Sequence, residues 1–366
     1  MLSELSNFES YWGPLRLFRY LSFRCVMATV TAFVVSFAIA PLVISYLRGI
    51  KSAQVQRGAA EVGKLAELHA WKSGTPIMGG LIIFAGLVLS AILWCGFNSL
   101  TAAAMLVYIL LTAAGFLDDY QKLIKKNSEG VSAKVKLAFQ SAAVLGAFAI
   151  LYFNPAYKSS LLELWAPFCK TPIIEQMPAL FALAFLWLVI AGSSNAVNLT
   201  DGLDGLATGC TISVMLVYGI FAYLTGNAIA AEYLHISMVP GAGELAVLCC
   251  AALGACMAFL WYNCYPASIW MGDTGSLGIG GLVGAVAFMV HQPITLVLVG
   301  GIFVMEAASV IIQVGYYKRT KKRIFRKSPI HHHFEEGGWR ETQVVLRFWI
   351  LSLIFALAGL ATLKLR

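Results

Sequence analysis

The feature that most narrows what this chain can become is a succession of apolar blocks, each long enough to cross a hydrocarbon layer. A bilayer core about 30 Å thick is crossed by about 20 helical residues. Lipid offers no partner to a bare N–H or C=O, so such blocks must be helices. Reading the chain block by block gives ten spans, centred near residues 36, 86, 109, 145, 186, 213, 253, 284, 305 and 354. Composition agrees: 59% of the 366 residues are hydrophobic and 12% are charged, against about 45–50% and about 25% in soluble domains. The expectation is an all-α integral membrane protein with ten transmembrane helices. No repeat or separate soluble unit interrupts it, so residues 1–366 read as a single polytopic membrane domain.

A net charge of +8 raises the question of nucleic acid. The distribution of the charge answers it. Loops 48–76, 118–136 and 317–347 hold 19 of the 26 Lys and Arg residues, the pattern of cytoplasmic connections between spans. Loops 195–204 and 263–275 carry no Lys or Arg and join the same side by alternation. Both termini then fall on the outer side, and no nucleic-acid partner is expected. The first block is too long for a signal-peptide core and reads as a retained anchor. Seven of the eight cysteines lie in or beside apolar blocks, so they read as small buried thiols rather than a disulfide framework.

All five aspartates fall on the expected cytoplasmic side, at or beside span ends: Asp118, Asp119, Asp201, Asp204 and Asp273. Ionisable groups at such depth are costly and usually functional. Asp118 and Asp119 close an apolar run. They are either solvated helix-end carboxylates or, since adjacent carboxylates repel, the makings of a cation site. Lys122, Lys125 and Lys126 follow at once, a mixture suited to a metal-bridged polyphosphate. In Asn198-Leu199-Thr200-Asp201-Gly202-Leu203-Asp204-Gly205, the aspartates share a face if a helix opens there, and the glycines allow close backbone approach; an ordinary capped turn is the plainer reading. Asp273 sits between glycines three residues after Trp270, whose ring is either a base-stacking face or an interfacial aromatic.

The last basic loop ends in His331-His332-His333-Phe334-Glu335. Three consecutive side chains rarely converge on one zinc, and no HExxH or Cys/His set accompanies them. An imidazole near pKa 6.5 would instead donate to phosphate or carry a proton. Lys72 precedes Gly-Thr-Pro at the entry to the second span; the order is not that of a Walker A loop, but a lysine there suits a phosphate or base contact.

Taken as a set, KSGTPIMGG (72–80), GFLDDYQK (115–122), NAVNLTDGLDGLATG (195–209), WYNCYPASIWMGDTGS (261–276) and PIHHHFEEGGWRETQVVLRFWI (329–350) closely resemble the phospho-N-acetylmuramoyl-pentapeptide transferases. These form a branch of the polyprenyl-phosphate sugar-1-phosphate transferases, and the resemblance runs from about residue 45 to the C-terminus. It implies ten helices with periplasmic termini in the bacterial inner membrane, and an active site facing the cytoplasm. It also implies UDP-N-acetylmuramoyl-pentapeptide and undecaprenyl phosphate as substrates, UMP as product and Mg²⁺ as cofactor, with homodimerisation as a family expectation. Carried over residue by residue, the metal ligand is Asp273, and Asp118, Asp119, Asp273 and His332 are catalytic. Lys72, Lys122, Lys134, Asn198, Asp201, Asp204, Trp270, His331 and His333 are substrate-binding. Two positions depart from the family pattern: Ile77 stands where Thr is usual, and Trp270 where Phe is usual. A sibling transferase of N-acetylglucosamine-1-phosphate is the nearest rival, disfavoured by the histidine motif. An ion-coupled transporter would carry its acids at mid-span instead.

Overall fold

In a computed structural model describing residues 2–50, 74–125 and 130–365, the long helices are α1 (Leu21–Gly49), α2 (Gly80–Trp94), α3 (Ser99–Lys125), α4 (Ala133–Tyr152), α5 (Ala179–Thr200), α6 (Leu206–Thr225), α7 (Gly243–Asn263), α8 (Gly272–Met289), α9 (Gly301–Thr320) and α10 (Glu341–Ala361). The described residues form no sheet; Leu164 and Ile174 make an isolated antiparallel bridge. Seven helices, α1, α3 to α7 and α10, are long and apolar enough to cross a membrane. The other three expected spans fall on α2, α8 and α9, which lie outside that group of seven. The first has only 15 residues, the second carries Asp273 and six glycines, and the third carries Glu306, Lys318 and Arg319. The all-helical, multi-span reading therefore stands; of the ten crossings expected, seven fall on helices of full length and apolarity among the described residues.

Side-chain size decides which face of each helix turns inward. Along α1, Ala28, Ala32, Ser36, Ala40 and Ile44 recur every fourth residue and are buried, while Val26, Val30, Val34 and Leu42 are exposed. That period places the small residues on one stripe, and the stripe packs against α7 and α2. The exposed branched face suits lipid, where no hydrophobic gain drives helices together and small residues favour close backbone contact. Helix α8 takes this furthest. Every residue from Thr274 to Met289 is buried, and the helix is flanked by α3 and α5.

The start of α2 is set by backbone pairing rather than by apolarity. Trp270 N–H donates to the Pro76 carbonyl at 2.9 Å, Gly79 N–H to the Trp270 carbonyl at 2.8 Å and Gly80 N–H to the Met271 carbonyl at 2.9 Å. Non-helical backbone inside an apolar bundle is tolerated where protein supplies its partners, and here the 270–271 segment supplies them. This pairing brings the entry to α2 beneath the N-terminus of α8.

The described connections sort to two ends of the bundle. At one end Arg24 meets Glu244 at 2.7 and 2.8 Å, Asn98 donates to the Gly241 carbonyl at 3.0 Å, and Ser160 Oγ lies 2.9 Å from His291 Nε2. The other end gathers the five aspartates and the histidine segment.

Candidate active site

Successive positions on a helix point about 100° apart, so Asp118 and Asp119 on the last turns of α3 reach different partners. Asp119 crosses to the start of α8. It accepts from Asp273 N–H at 3.3 Å, Thr274 N–H at 2.9 Å and the Thr274 hydroxyl at 2.7 Å. It thereby satisfies donors that the first turn of a helix leaves without intrahelical partners, and its charge suits the positive end of the helix. Gly272 makes the approach feasible: its φ is +72°, and a Cβ there would meet an Asp119 oxygen at 2.5 Å. Asp118 turns instead to the segment after α3, accepting from Val131 N–H at 2.8 Å. Both carboxylates are buried.

Asp273, in the first turn of α8, completes the group. Carboxylate oxygens of Asp118, Asp119 and Asp273 all lie within 4.8 Å of one another. Two lysines hold the three acids together. Lys122 Nζ lies 2.5 Å from Asp118, 3.4 Å from Asp273 and 3.8 Å from Asp119. Lys136 Nζ lies 2.5 Å from Asp273 and 3.0 Å from Asp118. Asn198, on the last turns of α5, donates to Asp273 at 2.9 Å and to the Ser276 hydroxyl at 2.8 Å.

The resemblance implied Lys134 as a substrate contact; the lysine of α4 that reaches the acids is Lys136. Lys134 is exposed, and two residues on, Lys136 faces the cluster. Positions i and i+2 of a helix diverge by about 200°, so α4 can present only one of them. The sequence offered one signal, Lys136 beginning the apolar face of α4.

Asp201 follows α5 and Asp204 lies one turn of chain further on. Burial, with the charges of Asp273 and Asp119 nearby, pushes the Asp201 carboxyl up to about 8. Asp204 serves a different end in this arrangement: one oxygen accepts from Trp270 Nε1–H and the other from Ala267 N–H, both at 3.0 Å. Its backbone N–H donates to Glu341 at 2.9 Å. Asp204 therefore binds three connections together, and the edge of the Trp270 ring is fixed by it.

The three histidines lie on a short helix, Ile330–Glu336. His331 is buried and packs over Gly202, whose missing side chain leaves room for the imidazole. Its Nδ1 lies 3.1 Å from Glu306 Oε2, a carboxylate wholly buried in α9. His332 Nδ1 lies 2.8 Å from Glu335 Oε2, and burial lowers the His332 imidazole to about 4. His333 Nδ1 accepts from Arg326 N–H at 3.1 Å. Glu306 escaped the reading of the sequence because it was absorbed into the span centred near 305; a lone acid in an apolar block was the signal. Lys72 lies outside the described residues.

The donor set of the acidic trio is all oxygen, the preference of hard cations such as Mg²⁺, which binds through one or two carboxylates and fills its remaining positions with phosphate oxygens and water. The residues fit such an ion, and they offer two carboxylates beyond the single ligand expected.

Comparison with known proteins sets first the class and then the branch. Residues 101–291, which carry all five aspartates, match the family described as glycosyl transferase family 4. Over full length, the chain is 50% identical to a phospho-N-acetylmuramoyl-pentapeptide-transferase from Opitutus terrae and 46% identical to one from Methylacidiphilum infernorum, with 100% of each protein covered. The chain belongs to the phospho-N-acetylmuramoyl-pentapeptide transferase family.

Proposed function

We propose that this protein transfers phospho-N-acetylmuramoyl-pentapeptide from its UDP donor to undecaprenyl phosphate, releasing UMP and forming the first lipid-linked intermediate of peptidoglycan synthesis. Full-length identity of 46–50% to two relatives of that name supports the substrate pair. The observation that carries the chemistry is the trio Asp118, Asp119 and Asp273 knitted by Lys122 and Lys136 at one end of a membrane bundle. That end also bears the basic stretch 318–327, which supports an active site facing the cytoplasm of a bacterial inner membrane.

An oxygen of the lipid phosphate attacks the β-phosphorus of the donor. The new O–P bond forms as the bond to the bridging oxygen breaks, and UMP leaves with that oxygen. A phosphate monoester is mostly deprotonated at pH 7, its second pKa being about 6, so the nucleophile needs alignment more than a strong base. Both reactants are anionic, and the work of the site is to neutralise and orient them. Lys122 and Lys136 supply positive charge to the non-bridging oxygens. Mg²⁺, held by Asp273 with Asp118 and Asp119, would add charge neutralisation at the diphosphate. Asp118 orients the acceptor at the edge of the apolar layer. Direct displacement is the proposed route, because the acceptor phosphate is already a competent nucleophile at pH 7 and needs no aspartyl relay.

The test is UMP release by purified protein with undecaprenyl phosphate and Mg²⁺, comparing UDP-N-acetylmuramoyl-pentapeptide with UDP-N-acetylglucosamine. Turnover of the first alone is expected, with loss in EDTA and recovery on adding Mg²⁺. Equal turnover of the second would place the chain in the sibling branch.

A further inference from the structure

Glu306 has no part in the chemistry derived above, yet it is a carboxylate wholly enclosed in a helix at the edge of the site. Burying such a group is costly unless something pairs with it. Among the described residues Oε2 meets His331 Nδ1 at 3.1 Å, while Oε1 has no hydrogen-bond partner. His331 is as completely enclosed, and its Nε2 likewise has no hydrogen-bond partner among the described residues. The ring thus has one nitrogen tied to α9 and the other buried and unmatched.

Nε2 is directed at Gly202, on the turn between α5 and α6. The same turn follows Asn198, which donates to Asp273 at 2.9 Å. The free nitrogen is therefore held at the margin of the acidic trio, while Glu306 lies behind it on the bundle side. A carboxylate accepts only, so it fixes the proton on Nδ1 and the plane of the ring, as a carboxylate does behind a metal-bound or catalytic imidazole. His332 follows the same plan, engaged at Nδ1 by Glu335, whereas His333 Nδ1 accepts from Arg326 N–H and so has no proton there.

We propose that Glu306 is a positioning residue for the transfer: it holds His331 with Nδ1–H turned toward α9, so that the lone pair of Nε2 faces a hydroxyl or N–H donor of the substrate beside the Asp201-Gly202 turn. This rests on the proposed transferase activity. A substrate O–H or N–H would be the donor that Nε2 lacks. Glu306 touches neither substrate, so its effect passes wholly through the imidazole.

The experiment is a double-mutant cycle with Glu306→Gln, His331→Ala and both together, measured by UMP release across pH. Glu306→Gln keeps the shape and can still accept from Nδ1–H, but loses the charge. It should lower kcat about 10–100-fold, the usual cost of removing a partner behind a functional imidazole, with the donor KM changed less than about threefold. The acid limb of its pH profile should move. In the His331→Ala background the same change should have no further effect. Multiplying losses, or a Glu306→Gln enzyme within twofold of wild type, would overturn the proposal. Should Glu306→Gln fail to fold, wild-type protein labelled with ¹⁵N-histidine gives an independent reading. The resonance absent from His331→Ala is expected to report a protonated Nδ1, and a bare Nδ1 would refute the assignment. Wild-type turnover tests the transferase reading separately, because the cycle is scored only as ratios to wild type.

Discussion

Replacing Lys136 with methionine keeps the length of the side chain and removes its charge. In the structure its ammonium group touches Asp118 at 3.0 Å and Asp273 at 2.5 Å, the only bridge to both acids besides Lys122 among the described residues. At about 3 Å and an effective dielectric of about 20, each contact is about 5 kcal/mol before desolvation, and desolvation offsets most of that. What survives for catalysis is the loss of one positive charge facing a phosphoryl group. Deleting one such preorganised group costs about 10²–10³ in kcat, or about 3–4 kcal/mol. Three carboxylates and two ammonium groups leave one formal negative charge in the cluster; without Lys136 they leave two. A dianionic diphosphate is then repelled, whereas Mg²⁺ is drawn in more tightly. Lys136→Met should therefore lose about 10²–10³ in kcat for UMP release while reaching half-maximal rate at lower Mg²⁺. Lys134→Met, at an exposed position, should remain within about twofold of wild type. The reasoning is refuted if Lys134→Met is the more damaging change, or if Lys136→Met leaves kcat intact in protein that elutes normally from gel filtration.

Trp270→Phe keeps a ring but removes the indole N–H that Asp204 accepts at 3.0 Å. Hydrogen bonds to charged groups are worth about 1.5–3 kcal/mol, so the melting temperature in detergent should fall; an unchanged transition would show that Asp204 does not depend on the indole. Asp201, raised to about 8 in the folded protein, keeps its proton where the unfolded chain, with an ordinary carboxyl near 3.9, has released it. The unfolded state therefore binds fewer protons, and metal-free protein should lose stability as pH rises from about 4 to about 8 and level off beyond. Thermal unfolding in EDTA across that window should flatten in Asp201→Asn; an identical slope would assign the dependence to another group. Titrating Mg²⁺ by calorimetry into wild type and Asp273→Asn should show heat only in the former, and equal binding would move the metal elsewhere.

Much of this was legible in the residues because lipid imposes a crude rule: apolar length makes a helix, and polarity marks an end. The centres read near 36, 109, 145, 186, 213, 253 and 354 fall within helices long and apolar enough to cross. The same rule blurred α2, whose start is fixed by bonds to Trp270 and Met271 from far along the chain. The acids of the site were found because so few carboxylates exist to choose among. Their partners were harder. Which of Lys134 and Lys136 turns inward depends on the rotation of α4, and a short polar-to-apolar junction does not set it. Glu306 lay inside a block whose hydropathy alone drew attention. The bonds of Asp204 to Trp270 and Ala267 lie outside what the motif shows, because an aspartate beside glycine reads the same whether its acceptor faces solvent or an indole.

The strand-like seam between residues 76–80 and 270–271 has an evolutionary consequence. Its three bonds join main chain to main chain, and main-chain groups are indifferent to the side chains they carry. Ile77 and Trp270 lie within this seam, so a change of side chain at either leaves its main-chain bonds able to form. At Ile77 the cost of a change is one of packing, since its side chain is buried in the core. At Trp270 the path is narrower, because there the side chain has acquired a second duty through Asp204.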